Sequence, residues 1–164
     1  MVCSACGRVR PQGAANKPQA DSTAIALMEM NLKLAGAADQ MLVDSVQASG
    51  LPYVLDLRNY WYYLTPVTDG DSVKEGMRVE YSAVIRDLRT GALIEDVTEE
   101  VEVGKGQALR AIDYTFPFMR ERQQATILAP YYNAYGRDGN EQVAPLTNVK
   151  VTLKVLQIER YETK

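Results

Sequence analysis

The run ATILAPYYNAYGRDG, Ala125 to Gly139, crowds Tyr131, Tyr132 and Tyr135 where an alternating apolar segment meets a proline and then a glycine-bearing polar loop. A second aromatic group, Tyr60, Trp61, Tyr62 and Tyr63, stands earlier in the chain. The sequence has no histidine. That absence removes Ser-His-Asp and Cys-His catalysis, the HExxH metalloprotease and every His-ligated metal site. The only two cysteines, Cys3 and Cys6, open the chain in MVCSACG. As a CxxC redox pair they lack the strand-to-helix setting that lowers a thiol pKa. As zinc ligands they lack two companions. Ser4-Ala5-Cys6 also reads as the remnant of a lipoprotein cleavage site, with small residues before a lipidated cysteine; the other reading is an incidental terminal pair. Gly104-Lys105-Gly106 lacks the GxxxxGK[ST] frame of a phosphate loop. The acidic run Glu95, Asp96, Glu99, Glu100 and Glu102 matches no calcium-loop spacing and reads as the solvated face of a strand.

Composition sets the frame for these residues. With 164 residues, 46% hydrophobic and 24% charged, the chain has the makings of one globular domain plus a small extension. A net charge of −3 gives no footprint for nucleic acid. No apolar run approaches the roughly 18–20 residues that span a bilayer.

The elements follow from periodicity. Residues 1–21 are rich in Pro, Gly, Ala, Asn and Gln and read as a flexible tether. Residues 22–50 form a helical extension with an N-cap at Asp21 or Ser22. Ile25, Met28, Leu32, Ala35, Leu42 and Val46 share one face, expected to pack against the domain, and Gly36 is a candidate break into two helices. Residues 51–164 change to a period of two. Short β-rich runs lie within Tyr53 to Val67. Met77, Val79, Tyr81, Ala83 and Ile85 alternate, as do valine and glutamate from Val97 to Val103. Val149, Val151, Leu153 and Val155 alternate most cleanly of all. One buried and one wet face favours antiparallel pairing. A single helical segment, roughly Ala108 to Phe116, places Leu109, Ile112 and Phe116 together and stops at Pro117. The economical architecture is α+β: a twisted antiparallel sheet wrapped around one short helix.

Four stretches then carry a resemblance: GDSVKEGMRVEYSAVIRDLRTGALIED, VGKGQALRAID, ILAPYYNAYG and APLTNVKVTLKVLQIE. In order and spacing they are similar to the FKBP family of peptidyl-prolyl cis-trans isomerases. They stand where that family has its Y-x-G strand, the turn with Phe-Asp, the L-G-x-x-x-V-I-x-G-W helix start, the A-Y-G strand end and the closing strand. The match runs from about Asp71 to Glu159. The preceding helix, the tyrosine-rich strand and Ser4-Ala5-Cys6 also resemble envelope-anchored FKBP-like lipoproteins of Bacteroidetes-type bacteria, which implies a place in the cell envelope.

The resemblance implies chemistry that needs no nucleophile, metal or cofactor. Rotation about a peptide C–N bond faces a barrier of about 18–20 kcal/mol, and for X–Pro both isomers lie within about 1 kcal/mol, so only the rate needs help. A dry apolar cavity favours the twisted, less polar amide, and a few hydrogen bonds hold its flanking carbonyls. The family match makes Tyr135 and Tyr81 the catalytic pair. It makes Ile94, Glu95, Ala108, Leu109, Ile112 and Val151 the substrate-binding residues. Implied partners are proline-containing peptides or unfolded segments, with no nucleic acid and with membrane contact only through an N-terminal lipid. The chain departs from the family at several of these positions. Ile94-Glu95 replace Phe-Asp, Ile112 a tryptophan, Val151 and Glu99 aromatics, and Ala83 a glycine. Such a pocket stays apolar but loses the flat surface on which a proline ring packs. Its activity is expected to be weak, and the alternative is a silent binding or structural module.

Overall fold

The computed structural model describes residues 22–159. Cys3, Cys6 and the expected tether lie outside the described residues. The chain divides into two compact units, residues 1–33 and 34–164. Helix α1 (Ser22–Ser49) is one continuous element. Gly36 does not break it, because a lone interior glycine costs only about 1 kcal/mol and its neighbours Ala35, Ala37 and Ala38 are strong helix formers.

Within the first unit, three residues of the expected apolar face are exposed. Ile25 is 48% exposed, Met28 65% and Leu32 63%. Periodicity encodes an apolar stripe on a helix but not what covers it. Within the second unit, α1 buries Ala38 and Leu42. Asn148 Nδ2 there donates to Met41 Sδ at 3.5 Å, and the Tyr132 hydroxyl donates to Asp39 Oδ1.

The second unit carries one six-stranded sheet: β1 (Val54–Leu55), β2 (Trp61–Leu64), β3 (Arg78–Asp87), β4 (Leu93–Glu102), β5 (Gln124–Ala129) and β6 (Val149–Ile158). Its order is β1-β2-β5-β6-β3-β4, and every pairing is antiparallel. The alternation foretold this. Val79, Tyr81, Ala83 and Ile85 of β3 are buried, as are Val149, Val151, Leu153 and Val155 of β6, while Lys150 and Lys154 between them are exposed. Both strands are central, flanked by a partner on each side, which is why their pattern is the clearest.

Helix α2 (Arg110–Thr115) packs Ala111 and Ile112 into the same core as these strands, and Phe116 follows them. It is shorter than expected. Pro117 cannot continue the α ladder, and the chain tightens into a 3₁₀ turn, Phe116–Phe118. Each fully buried valine, leucine, isoleucine or phenylalanine of this cluster contributes about 1.5–3 kcal/mol. Asp113 of α2 turns outward to the preceding loop, where its carboxylate accepts Gly104 N–H at 2.8 Å and Gly106 N–H at 3.1 Å. That pair of bonds sets the position of α2 against the end of β4.

Two irregularities aim side chains. Opposite β4, the register steps from Ile85↔Glu95 to Arg86↔Leu93 and skips Ile94. Two residues then face one, a β-bulge. As a result the neighbours Ile94 and Glu95 both serve the core side of the strand, which strict alternation forbids. Opposite β6, the register steps from Glu80↔Gln157 to Tyr81↔Val155, which brings Tyr81 into phase with Val155.

Candidate functional site

The three tyrosines after β5 have three separate tasks. Pro130 turns the chain into a 3₁₀ turn, Tyr131–Asn133, and Gly136 at φ 82° lets its N–H reach back to the Tyr131 carbonyl at 2.8 Å. Tyr131 is buried, and its N–H donates to Asn148 Oδ1 at 3.0 Å. Its ring meets that of Tyr132 edge-on, with centroids 5.2 Å apart. Tyr132 spends its hydroxyl on Asp39. Asn133 ties the turn to the β1–β2 loop by donating to the Arg58 carbonyl at 2.7 Å. Tyr135, held by this braced turn, has its hydroxyl oxygen buried and without a hydrogen-bond partner.

Tyr81 lies close enough to Tyr135 to raise the pKa of its phenol. Tyr81 is 2% exposed and donates its hydroxyl to Glu99 Oε2 at 3.1 Å. The Phe116 ring stands edge-on to it at 5.3 Å. Burial, then the Glu99 carboxylate, then Glu95 and Asp113 hold the Tyr81 phenol well above its ordinary pKa. Burial also comes first for Tyr135, followed by the Glu95 carboxylate, which lies within reach of the hydroxyl without completing a bond, and by Tyr81. Both phenols are therefore neutral donors at any physiological pH.

The remaining expected residues fall into two layers. Ile112 is 1% exposed and Val151 0%, so with Tyr81 they form a floor closed to solvent. Ile94, Glu95, Ala108, Leu109 and Tyr135 are half-buried above that level, and the apolar ones pack against the core. Other concavities of the described surface lie beside Tyr114, Pro117 and Phe118, and beside Arg120 and Ile158. The site is thus an apolar platform with a phenol donor at its edge.

Glu99, read both as part of a solvated acidic face and at the place of a family aromatic, is exposed and lies directly opposite Tyr81 in the β3–β4 register.

No family model and no curated protein matches the sequence. Solved structures do. The chain is similar to a peptidyl-prolyl cis-trans isomerase from Pseudomonas syringae pv. tomato, with a TM-score of 0.65, 13% identity, and coverage of 78% of this chain and 95% of that one. FkpA from Escherichia coli gives a TM-score of 0.66 at 12% identity, covering 84% of this chain and 65% of that one. The N-terminal domain of FKBP42 from Arabidopsis thaliana gives 0.58 at 17% identity, covering 65% and 91%. The strand order, the single short helix of the sheet unit and these likenesses agree, and the chain has an FKBP-like α+β fold.

Proposed function

We propose that the chain is a peptidyl-prolyl cis-trans isomerase of the FKBP type, slow because its platform is aliphatic, acting on exported proteins. The observation that carries this is the buried Tyr135 hydroxyl with no partner. An unmet buried donor costs about 1–3 kcal/mol, so a fold keeps one where a ligand completes it. A carbonyl beside a prolyl bond is a fitting acceptor. With that carbonyl held, the apolar surroundings from Ile94, Leu109 and Ala134 favour the twisted amide, whose lost resonance makes it less polar. Nothing in this step requires proton transfer, which suits phenols whose pKa is raised.

The test is NMR exchange between the cis and trans resonances of a short X–Pro peptide. Wild type accelerates exchange, and Tyr135→Phe lowers that acceleration by about tenfold, the order expected when one preorganised donor is removed. A second reading is favoured by the closed floor of Ile112 and Val151: a silent module that binds unfolded segments on its surface. Binding of unfolded protein without any acceleration by wild type selects it. The place of work, the cell envelope, rests on Ser4-Ala5-Cys6 alone. The mass of native protein tests it, since an unmodified Cys3 and Cys6 removes the lipid anchor.

A further inference from the structure

We infer that Asn148 is a positioning residue of the site: it anchors Tyr131, from which Tyr135 hangs, and so sets where the Tyr135 hydroxyl stands. The inference rests on the role of Tyr135 proposed above. Asn148 directly precedes β6 and is 7% exposed. Both ends of its amide are used. Oδ1 accepts the Tyr131 N–H at 3.0 Å, and Nδ2 donates to Met41 Sδ of α1 at 3.5 Å. Its own carbonyl accepts the Leu88 N–H at 2.9 Å, which ties its backbone to the chain just past β3.

Tyr131 is the pivot of the turn. Its carbonyl accepts the Ala134 N–H at 3.0 Å and the Gly136 N–H at 2.8 Å. Those residues are the chain neighbours of Tyr135, so the backbone on either side of that tyrosine hangs from one oxygen. Pro130 caps the turn without any side-chain hydrogen bond, which leaves the Tyr131 N–H to Asn148. The restraint therefore runs from the start of β6 through one amide oxygen to Tyr131, and from Tyr131 to Tyr135. A buried N–H must keep an acceptor. Without Oδ1 the backbone of Tyr131 shifts to find one, and the two N–H groups beside Tyr135 move with its carbonyl. A donor displaced by about 1 Å no longer meets the group it serves, and the loss falls on the rate.

The experiment introduces Asn148→Leu, which keeps the bulk and removes the acceptor, and Asn148→Asp, which keeps the acceptor. Each is made in wild type and in Tyr135→Phe, and kcat and KM are measured for a short X–Pro peptide. In wild type, Asn148→Leu is expected to lower kcat about tenfold with KM within about twofold, and Asn148→Asp to keep kcat within about twofold. In Tyr135→Phe, Asn148→Leu lowers kcat by less than about twofold further, because the hydroxyl it positions is already gone. Losses that multiply across the two substitutions, or equal losses in Asn148→Asp and Asn148→Leu, overturn the inference while leaving the isomerase proposal intact. Should Asn148→Leu not fold, Asn148→Ser replaces it, since its shorter side chain leaves room for water to meet the freed N–H. A second readout needs no activity. The NMR resonances of the Tyr135 ring, assigned by their loss in Tyr135→Phe, are expected to shift or broaden in Asn148→Leu and to stay in place in Asn148→Asp. A Tyr135 ring unmoved by Asn148→Leu overturns the inference. If wild type accelerates no X–Pro peptide, the isomerase proposal falls, and the ring resonances still decide whether Asn148 sets the place of Tyr135.

Discussion

Each tyrosine of the 131–135 cluster can be asked the same question, what its hydroxyl meets, and the answers predict opposite mutational signs. Tyr132→Phe removes a donor to the Asp39 carboxylate and is expected to destabilise the protein by about 1.5–3 kcal/mol, leaving isomerisation within about twofold of wild type. Tyr135→Phe removes a hydroxyl that is buried and unmet, so stability is expected to rise by about 1 kcal/mol while activity falls. Urea midpoints and exchange rates on the two variants check both, and a destabilised Tyr135→Phe would mean the hydroxyl has a partner in solution. The clustering of phenols was legible in the sequence, as was the role that family likeness gave Tyr135. Their division of labour was not. It depends on Asp39 and Asn148, residues 93 and 17 positions away, which only the folded chain brings near.

At the scale of elements, legibility tracked the strength of period. β3 and β6 were readable because each is buried on one face along its whole length, and α2 because Ile112 and Phe116 share a side. The bulge at Ile94 and the 3₁₀ turn at Tyr131 were not, since neither one extra residue nor a three-residue turn leaves a periodic signature. Yet these departures bring Ile94 and Glu95 to one side and aim Tyr135. The loop before α2 is a third such device, and it supplies a prediction. Asp113 is 8% exposed and holds two backbone N–H groups, so Asp113→Ala leaves Gly104 and Gly106 without their acceptor. The expected loss is about 2–3 kcal/mol by chemical denaturation, with faster amide exchange confined to residues 103–109. Uniform exchange across the sheet would show instead that the carboxylate matters only to the core. Gly139 marks a similar constraint in the loop before β6. It stands at φ 67°, and an added Cβ would run into the Val143 carbonyl oxygen. Gly139→Ala is accordingly expected to cost more than Gly91→Ala, which has φ 74° but open space around it.

For the whole molecule, the fold was recoverable from the order of its segments even though identity to similar structures is only 12–17%. What the order could not convey is how strongly the interior depends on neutral phenols. Without histidine, the chain has no side chain whose ordinary pKa falls between about 5 and 8. The tyrosines supply a steep response at the alkaline end instead. Tyr60, Tyr81, Tyr132 and Tyr135 are all raised above 10.0, each chiefly by burial. A folded-state pKa above the unfolded one means the native protein keeps protons that the unfolded chain releases. The stabilisation is therefore complete below pH 10.0 and is lost as pH climbs; for Tyr60, raised to about 12, the loss runs from 10.0 to about 12. A shift of that size corresponds to about 2–3 kcal/mol. Lysine deprotonation overlaps this range, so the comparison is with Tyr60→Phe. That variant forfeits only a long hydrogen bond with Thr115, 3.4 Å, and is expected to lose about 1 kcal/mol or less at pH 7. Above pH 10 its urea midpoint should fall less steeply than that of wild type, and the two curves should converge near pH 11. Parallel curves up to that pH would show that Tyr60 ionises without opposing the fold, and that the interior accommodates a phenolate that its burial argues against.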